Sequence, residues 1–151
     1  MINSLAVMRE HLGNQATITA LVGKRVMVTP LAEGAGTLPA IEFRRVGGPG
    51  RNPEIPDEVT PLFEFRCWGG DRRDTASLDN AFALDAALND VLIEIAQKRV
   101  SVPQFTIDSV VYGPFDLSLG EELEAGTDFL DLDSEAHFVR SAWRVRVSTN
   151  S

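Results

Sequence analysis

Leu62-Phe-Glu-Phe-Arg-Cys-Trp68 alternates apolar and charged side chains, the period-two pattern of a strand with one buried face. Gly69-Gly70 ends this strand, and a helical pattern follows from Thr75 to Lys98. The helix has an apolar stripe at the spacing that covers one face of a sheet: Ala81, Leu84, Leu88, Val91, Leu92 and Ile95. Its opposite arc is polar: Asp79, Asp85, Asn89, Asp90, Glu94 and Lys98. The stretch predicts a helix packed on an antiparallel sheet.

Two further segments, 40–46 and 137–148, repeat the alternation. In the first, Glu42 and Arg44 oppose two apolar side chains; in the second, the outward residues are Arg140, Arg144 and Arg146. We expect these arginines to pair with Glu42 and Glu64 across the outer face, or to contact a partner subunit. The predicted fold class is α+β. A single domain, 1–151, would have a mostly antiparallel sheet of about four to five strands, with one long and one or two short helices on one face.

Two segments of unusual composition lie between these strands. Residues 47–61 hold four prolines and three glycines and predict a long, projecting hairpin loop. We expect this loop and the arginine-bearing strand to form an interface, with these candidates: Arg51, Asn52, Glu54, Asp57, Glu58, Arg140, Arg144 and Arg146. Neither Lys nor Arg occurs between Arg99 and Arg140, and residues 120–135 are predicted to form an acidic loop. Its candidate acidic-surface or channel residues are Glu121, Glu122, Glu124 and Asp128.

The composition argues against several classes of protein. The chain has 151 residues, 44% hydrophobic residues, a single cysteine and a net charge of −8. These values predict one soluble domain without an internal disulfide and argue against a nucleic-acid-binding surface spread over the whole protein. No apolar run is long enough to span a membrane, and the N-terminus lacks the basic start of a secretory signal.

The sequence contains no recognisable catalytic, calcium-binding or phosphate-binding motif. His11, which we expect on the rim of the first helix, and His137 lie in no recognisable acid–base motif. The acidic run from Asp128 resembles a calcium loop, but alanines stand where the turn glycine and the final carboxylate should be. Gly47-Gly-Pro-Gly50 lacks the lysine and helix of a phosphate loop. We therefore expect a structural or assembly protein rather than an enzyme, without catalytic, cofactor-binding or metal-binding residues.

The order of elements resembles that of the tail terminator (tail-completion) proteins of long-tailed bacteriophages. A short N-terminal helix leads into Leu21-Val-Gly-Lys-Arg25 and a strand; the phenylalanine-rich strand, the long helix and the closing strand 138–147 follow. The resemblance implies a virion structural protein at the head–tail joint. There, a hexameric ring ends tail-tube growth and joins the tail to the head connector, leaving a channel for DNA.

The resemblance also implies the partners and the location. The partners would be other copies of the chain, the tail tube protein, the head connector or stopper protein, and passing DNA that is not bound by sequence; a membrane is not among them. The protein would be assembled in the host cytoplasm and reside in the neck of the virion. Two alternatives stay open: another neck component, such as a head-completion or stopper protein, or a subunit of a tail-like delivery apparatus.

Overall fold

The computed structural model describes residues 2–28, 39–48, 57–70, 75–131 and 136–150. Within them lie three helices: α1 (Ser4–Gly13), α2 (Ala16–Val22) and α3 (Thr75–Gln97). The same residues form nine strands: β1 (Val26–Val28), β2 (Ala40–Gly47), β3 (Glu58–Val59), β4 (Leu62–Trp68), β5 (Val100–Val102), β6 (Phe105–Ile107), β7 (Val110–Tyr112), β8 (Phe115–Leu130) and β9 (His137–Thr149).

The strands form one large, mostly antiparallel sheet. Its order is β1-β2-β4-β9-β8-β5, and β3 also pairs with β9. Only the β1–β2 pair is parallel within this sheet, and β6 and β7 form a separate small hairpin. The predicted α+β fold is confirmed. The sheet has seven described strands rather than four or five, since β3, β5 and most of β8 were not expected as strands of the sheet.

Helix α3 covers one face of the sheet, as its apolar stripe predicts. All six stripe residues are buried, and Phe63, Phe65 and Cys67 face them from β4. Phe43 from β2 stacks on Phe65 with ring centroids 5.6 Å apart. One polar position differs from expectation: Asp85 was placed on the solvent arc but is only 7% exposed. Phe82 and Ile93, off the stripe, stay 43% and 41% exposed.

The N-terminal helices close the remaining side of the core. The backbone N–H of Ala6 donates to Asn3 Oδ1 at 3.1 Å, which caps α1. Gly23 follows α2 with φ at 60°, a left-handed conformation that glycine adopts readily. His11 was expected on the rim of α1, but it is 6% exposed, and burial lowers its pKa although Glu94 opposes that shift.

The prediction of an acidic loop over 120–135 is wrong for residues 120–130. They continue β8, which pairs with β9 as far as Leu130↔His137. Three register shifts interrupt the pairing, between Ser118 and Glu121, Glu122 and Glu124, and Glu124 and Thr127. Each shift adds one extra residue to β8, so apolar and polar residues no longer alternate with a period of two along the sequence. The segment therefore lacks the pattern by which a strand is recognised. Residues 132–135 lie outside the described part of the chain.

The predicted loop 47–61 is also shorter than expected. Gly47 ends β2, Glu58 and Val59 pair with Ser148 and Val147 of β9, and Pro61 is buried. Residues 49–56 are outside the described structure, so whether they project stays a prediction. Among the described residues, no helix combines the length and apolar character needed to cross a membrane.

Candidate interaction surface

The face of the sheet opposite α3, called here the outer face, carries a network of cross-strand charges. On β2 and β4, Arg44 lies opposite Glu64 and Glu42 lies opposite Arg66. Arg44 Nη2 is 3.4 Å from Glu64 Oε2, and Arg66 Nε is 3.1 Å from Glu64 Oε1 and 4.0 Å from Glu42 Oε1. Opposite charges thus pair across these two strands.

The arginines of β9 have different partners from those expected. Arg140 Nη2 lies 2.6 Å from Glu124 Oε1, and this hydrogen bond raises the pKa of Arg140 above its usual value. Arg144 pairs with Glu121 at 3.4 Å and Arg146 with Glu58 at 3.7 Å. Glu42 lies on β2, which does not border β9, and Glu64, on the bordering strand β4, lies opposite Ala142 and pairs with Arg44 and Arg66. The ion-pair partners of the three arginines instead come from β8 and β3, although the charge of Glu64 also helps to raise the pKa of Arg140.

Aromatic rings occupy one end of the outer face. Trp68, Phe138 and Phe129 come from β4, β9 and β8, with centroids 4.5 Å and 5.4 Å apart along the row. The Arg66 guanidinium carbon lies 5.1 Å from the Phe138 centroid, and that of Arg140 lies 5.2 Å from the Phe129 centroid. These cation–π contacts hold the arginines against the sheet. Trp68 and Phe138 are themselves buried and Phe129 is 39% exposed, so the accessible surface at this end is formed by Phe129 and the ordered arginines.

The four predicted acidic residues do not form one patch. Glu121 and Glu124 lie on the outer face and are paired with arginines. Glu122 lies opposite Trp143 and Asp128 opposite Val139, both of which are buried on the helix-covered side. Directly opposed residues of antiparallel strands point to the same face, so Glu122 and Asp128 belong to that other side. Both are exposed, and neither has an ion pair with another described residue.

Only some of the predicted interface residues of the loop 47–61 lie in the described part of the chain. Arg51, Asn52 and Glu54 lie outside the described residues, so their role in an interface stays a prediction. Asp57 is exposed and its backbone carbonyl accepts from the N–H of Thr149 at 3.0 Å. Glu58 belongs to β3. These two residues therefore belong to the body of the sheet rather than to a projecting arm.

A buried carboxylate beneath β8 was missed by the sequence analysis. Asp85 Oδ2 accepts from Asn89 Nδ2 at 3.4 Å, while Oδ1 of each residue is buried without a hydrogen-bond partner. Burial, and secondarily the charge of Glu122, raises the pKa of Asp85 to about 6. A Cβ added to Gly126 would lie 2.5 Å from Asp85 Oδ2, so the strand passes close above the carboxyl group. A glycine inside the strand is the signal that could have indicated this approach.

The described residues contain no group of three or more His, Cys, Asp or Glu side chains placed to hold a metal ion. Cys67 is fully buried, and burial raises the pKa of its thiol well above the usual value. Such a thiol is protonated and unreactive at neutral pH.

Comparison with known proteins gave a likeness to solved structures. No family model matches the chain, and no curated protein matches it. Among solved structures, a chain of the "Virion of native gene transfer agent (GTA) particle" is similar over 95% of this chain and 93% of its own length. Its TM-score is 0.55 and the sequence identity is 19%. At this identity, the likeness establishes a shared fold.

Proposed function

We propose that this chain is a virion structural protein that acts at the head–tail joint as a tail terminator. Copies of the chain would form a ring, with six subunits the expected number. The ring would end growth of the tail tube and join the tube to the head connector or stopper protein. The protein would be assembled in the host cytoplasm and remain in the neck of the finished virion, and it would not act as an enzyme.

The observation that carries this proposal is the structural likeness to a chain of a gene transfer agent virion over nearly the full length of both chains. The order of elements, which resembles the tail terminators, supports the position at the joint. The outer face of the sheet adds a physical argument. Its arginines are held by ion pairs and aromatic rings at fixed positions, which lowers the entropy lost when a partner protein binds.

The ring would leave a central channel through which DNA passes without sequence-specific binding. Residues Glu121, Glu122, Glu124 and Asp128 were expected to line it. Because they divide between the two faces of the sheet, and two are neutralised by arginines, we do not assign the channel lining to them as a set.

The test has two parts. Native mass spectrometry and negative-stain images of the purified protein are expected to show a closed ring with a central hole. When added to growing tail tubes, the protein should stop elongation and be found at one tube end. A protein that stays monomeric at high concentration and does not bind tubes would contradict the proposal.

The same preparation separates the nearest alternative. A head-completion or stopper protein should bind to DNA-filled heads and not to isolated tail tubes, whereas a terminator should bind to tubes. Tagged protein incubated with each particle and recovered by sedimentation gives this answer. Binding to heads alone would replace the terminator assignment with a different neck component.

A further inference from the structure

One edge of the large sheet has no described partner strand over most of its length. β5 pairs with β8 only at Phe115–Leu117, so from Ser118 to Leu130 no described strand lies on the side of β8 away from β9. Backbone N–H and C=O groups along such an edge are open to another chain. Leu119 is 61% exposed on this stretch and Leu123 is also exposed. The edge therefore combines unpaired backbone with apolar side chains.

This edge is acidic. Between Ser118 and Leu130 the charged residues are Glu121, Glu122, Glu124 and Asp128, and none is basic. The arginines of β9 neutralise two of them, but Glu122 and Asp128 have no ion pair with another described residue. A cationic partner would supply what these two carboxylates lack.

The opposite edge of the same sheet is basic. β1 pairs with β2 only at Ile41–Phe43, so the remainder of β2, which includes Arg44 and Arg45, has no described strand on its outer side. Lys24 and Arg25 lie just before β1. Lys24 and Arg44 are exposed, and the Arg44 side chain keeps half its surface accessible although it pairs with Glu64. The two edges of one sheet thus have opposite charge.

We propose that the β8 edge of one copy docks on the β1–β2 edge of the next copy, head to tail. Contact between two β8 edges, or between two β2 edges, would place like charges together, whereas contact between β8 and β2 places opposite charges together. A head-to-tail contact is heterologous, and it closes into a ring when the rotation between copies allows.

This inference rests on the proposed ring and names the surfaces that build it. It also gives Glu122 and Asp128 a role in contact between subunits. In this arrangement the outer face, with its ordered arginines, stays free for the tube or the connector.

A charge exchange tests the contact. The acidic-edge variant carries Glu122→Lys and Asp128→Lys, and the basic-edge variant carries Lys24→Glu and Arg44→Glu. Asp90→Lys, an exposed position on α3, is the matched control. Sedimentation velocity and native mass spectrometry give the association, and circular dichroism melting confirms that each variant is folded. We expect each edge variant alone to associate at least roughly tenfold more weakly than the wild type, with the control unchanged.

The mixture is the decisive sample. One variant has two basic edges and the other two acidic edges, so an equimolar mixture should restore rings of alternating subunits. A mixture that stays dissociated, or edge variants that form rings as the wild type does, would overturn the edge contact and leave the proposed function standing. A wild type that is itself monomeric and inert toward tubes would overturn both.

Discussion

β4 and β8 flank the same strand, β9, on opposite sides, yet they are built differently. β4 pairs with β9 through seven consecutive residue pairs without a shift, whereas the pairing of β8 with β9 shifts three times. On β4, every second side chain enters the core, and Phe63, Phe65 and Cys67 are fully buried. The comparison shows that a strand with one continuous buried face is regular, while a strand at the edge of a sheet tolerates bulges.

The two strands also meet helix α3 by different means. β4 packs its large side chains against the apolar stripe of the helix. β8 instead brings its backbone close: a Cβ at Gly120 would lie 3.1 Å from the Ala96 nitrogen, and one at Gly126 would lie 2.5 Å from Asp85 Oδ2. Stability near β4 should therefore depend on side-chain volume, and stability near β8 on the absence of side chains.

Removal of an aromatic ring should lower the free energy of unfolding much more on β4 than on β8. Phe65→Ala deletes a fully buried ring that stacks on Phe43, and should lower the free energy of unfolding by about 3–5 kcal/mol. Phe129→Ala on β8 removes a ring that is 39% exposed, and should cost about 1 kcal/mol or less. Urea unfolding followed by circular dichroism measures both. Equal losses would contradict the distinction between the two strands.

The buried carboxyl group beneath β8 should make stability depend on pH. The pKa of Asp85 rises from 3.8 to about 6 on folding, so the folded state binds more protons than the unfolded state between these values. Stability from this group is therefore highest below about pH 4 and falls as pH rises through 6, by up to about 3 kcal/mol.

The variant pair Asp85→Asn and Asp90→Asn isolates this effect, because Asp90 is an exposed carboxylate on the same helix. Urea midpoints from pH 4 to 7 should show that Asp85→Asn loses this part of the pH dependence and that Asp90→Asn keeps it. The same pH dependence in both variants would mean that Asp85 titrates normally in the folded protein.

The smallest predicted change in stability concerns the close approach of the β8 backbone to helix α3. Gly126→Ala places a methyl group against Asp85 Oδ2 and within 2.9 Å of Val139 Cγ1, and should destabilise the protein by about 1–3 kcal/mol. Gly13→Ala, at the end of α1, has no atom within 4 Å of the added carbon and should be neutral or slightly stabilising. Thermal melting of both variants gives the comparison. A neutral Gly126→Ala would show that the strand can move away from the helix at little cost.

The regular strands, such as β4, were predictable from the sequence, whereas β8 beyond Leu119 was not. Alternation in 40–46, 62–68 and 137–148 predicted three strands with charged residues on the outer face, and the structure pairs Arg44 with Glu64 and Arg66 with Glu42 there. In β8, the extra residue at the shift between Glu122 and Glu124 places these two side chains on opposite faces although they are two positions apart, so no regular period could be recognised. Asp85 was misplaced because its position beside the apolar stripe gives no indication that β8 would cover it.

By itself, the sequence determined the local elements of this protein: the amphipathic helix α3, the capped helix α1 and the regular central strands. Each of these depends on spacing within one segment, which burial of an apolar face requires. Only the tertiary structure decided which arginine meets which carboxylate, that residues 120–130 form a strand, and that the sheet has one acidic and one basic edge. These properties depend on strand order and register, which join residues far apart in the chain and leave no mark in any one segment.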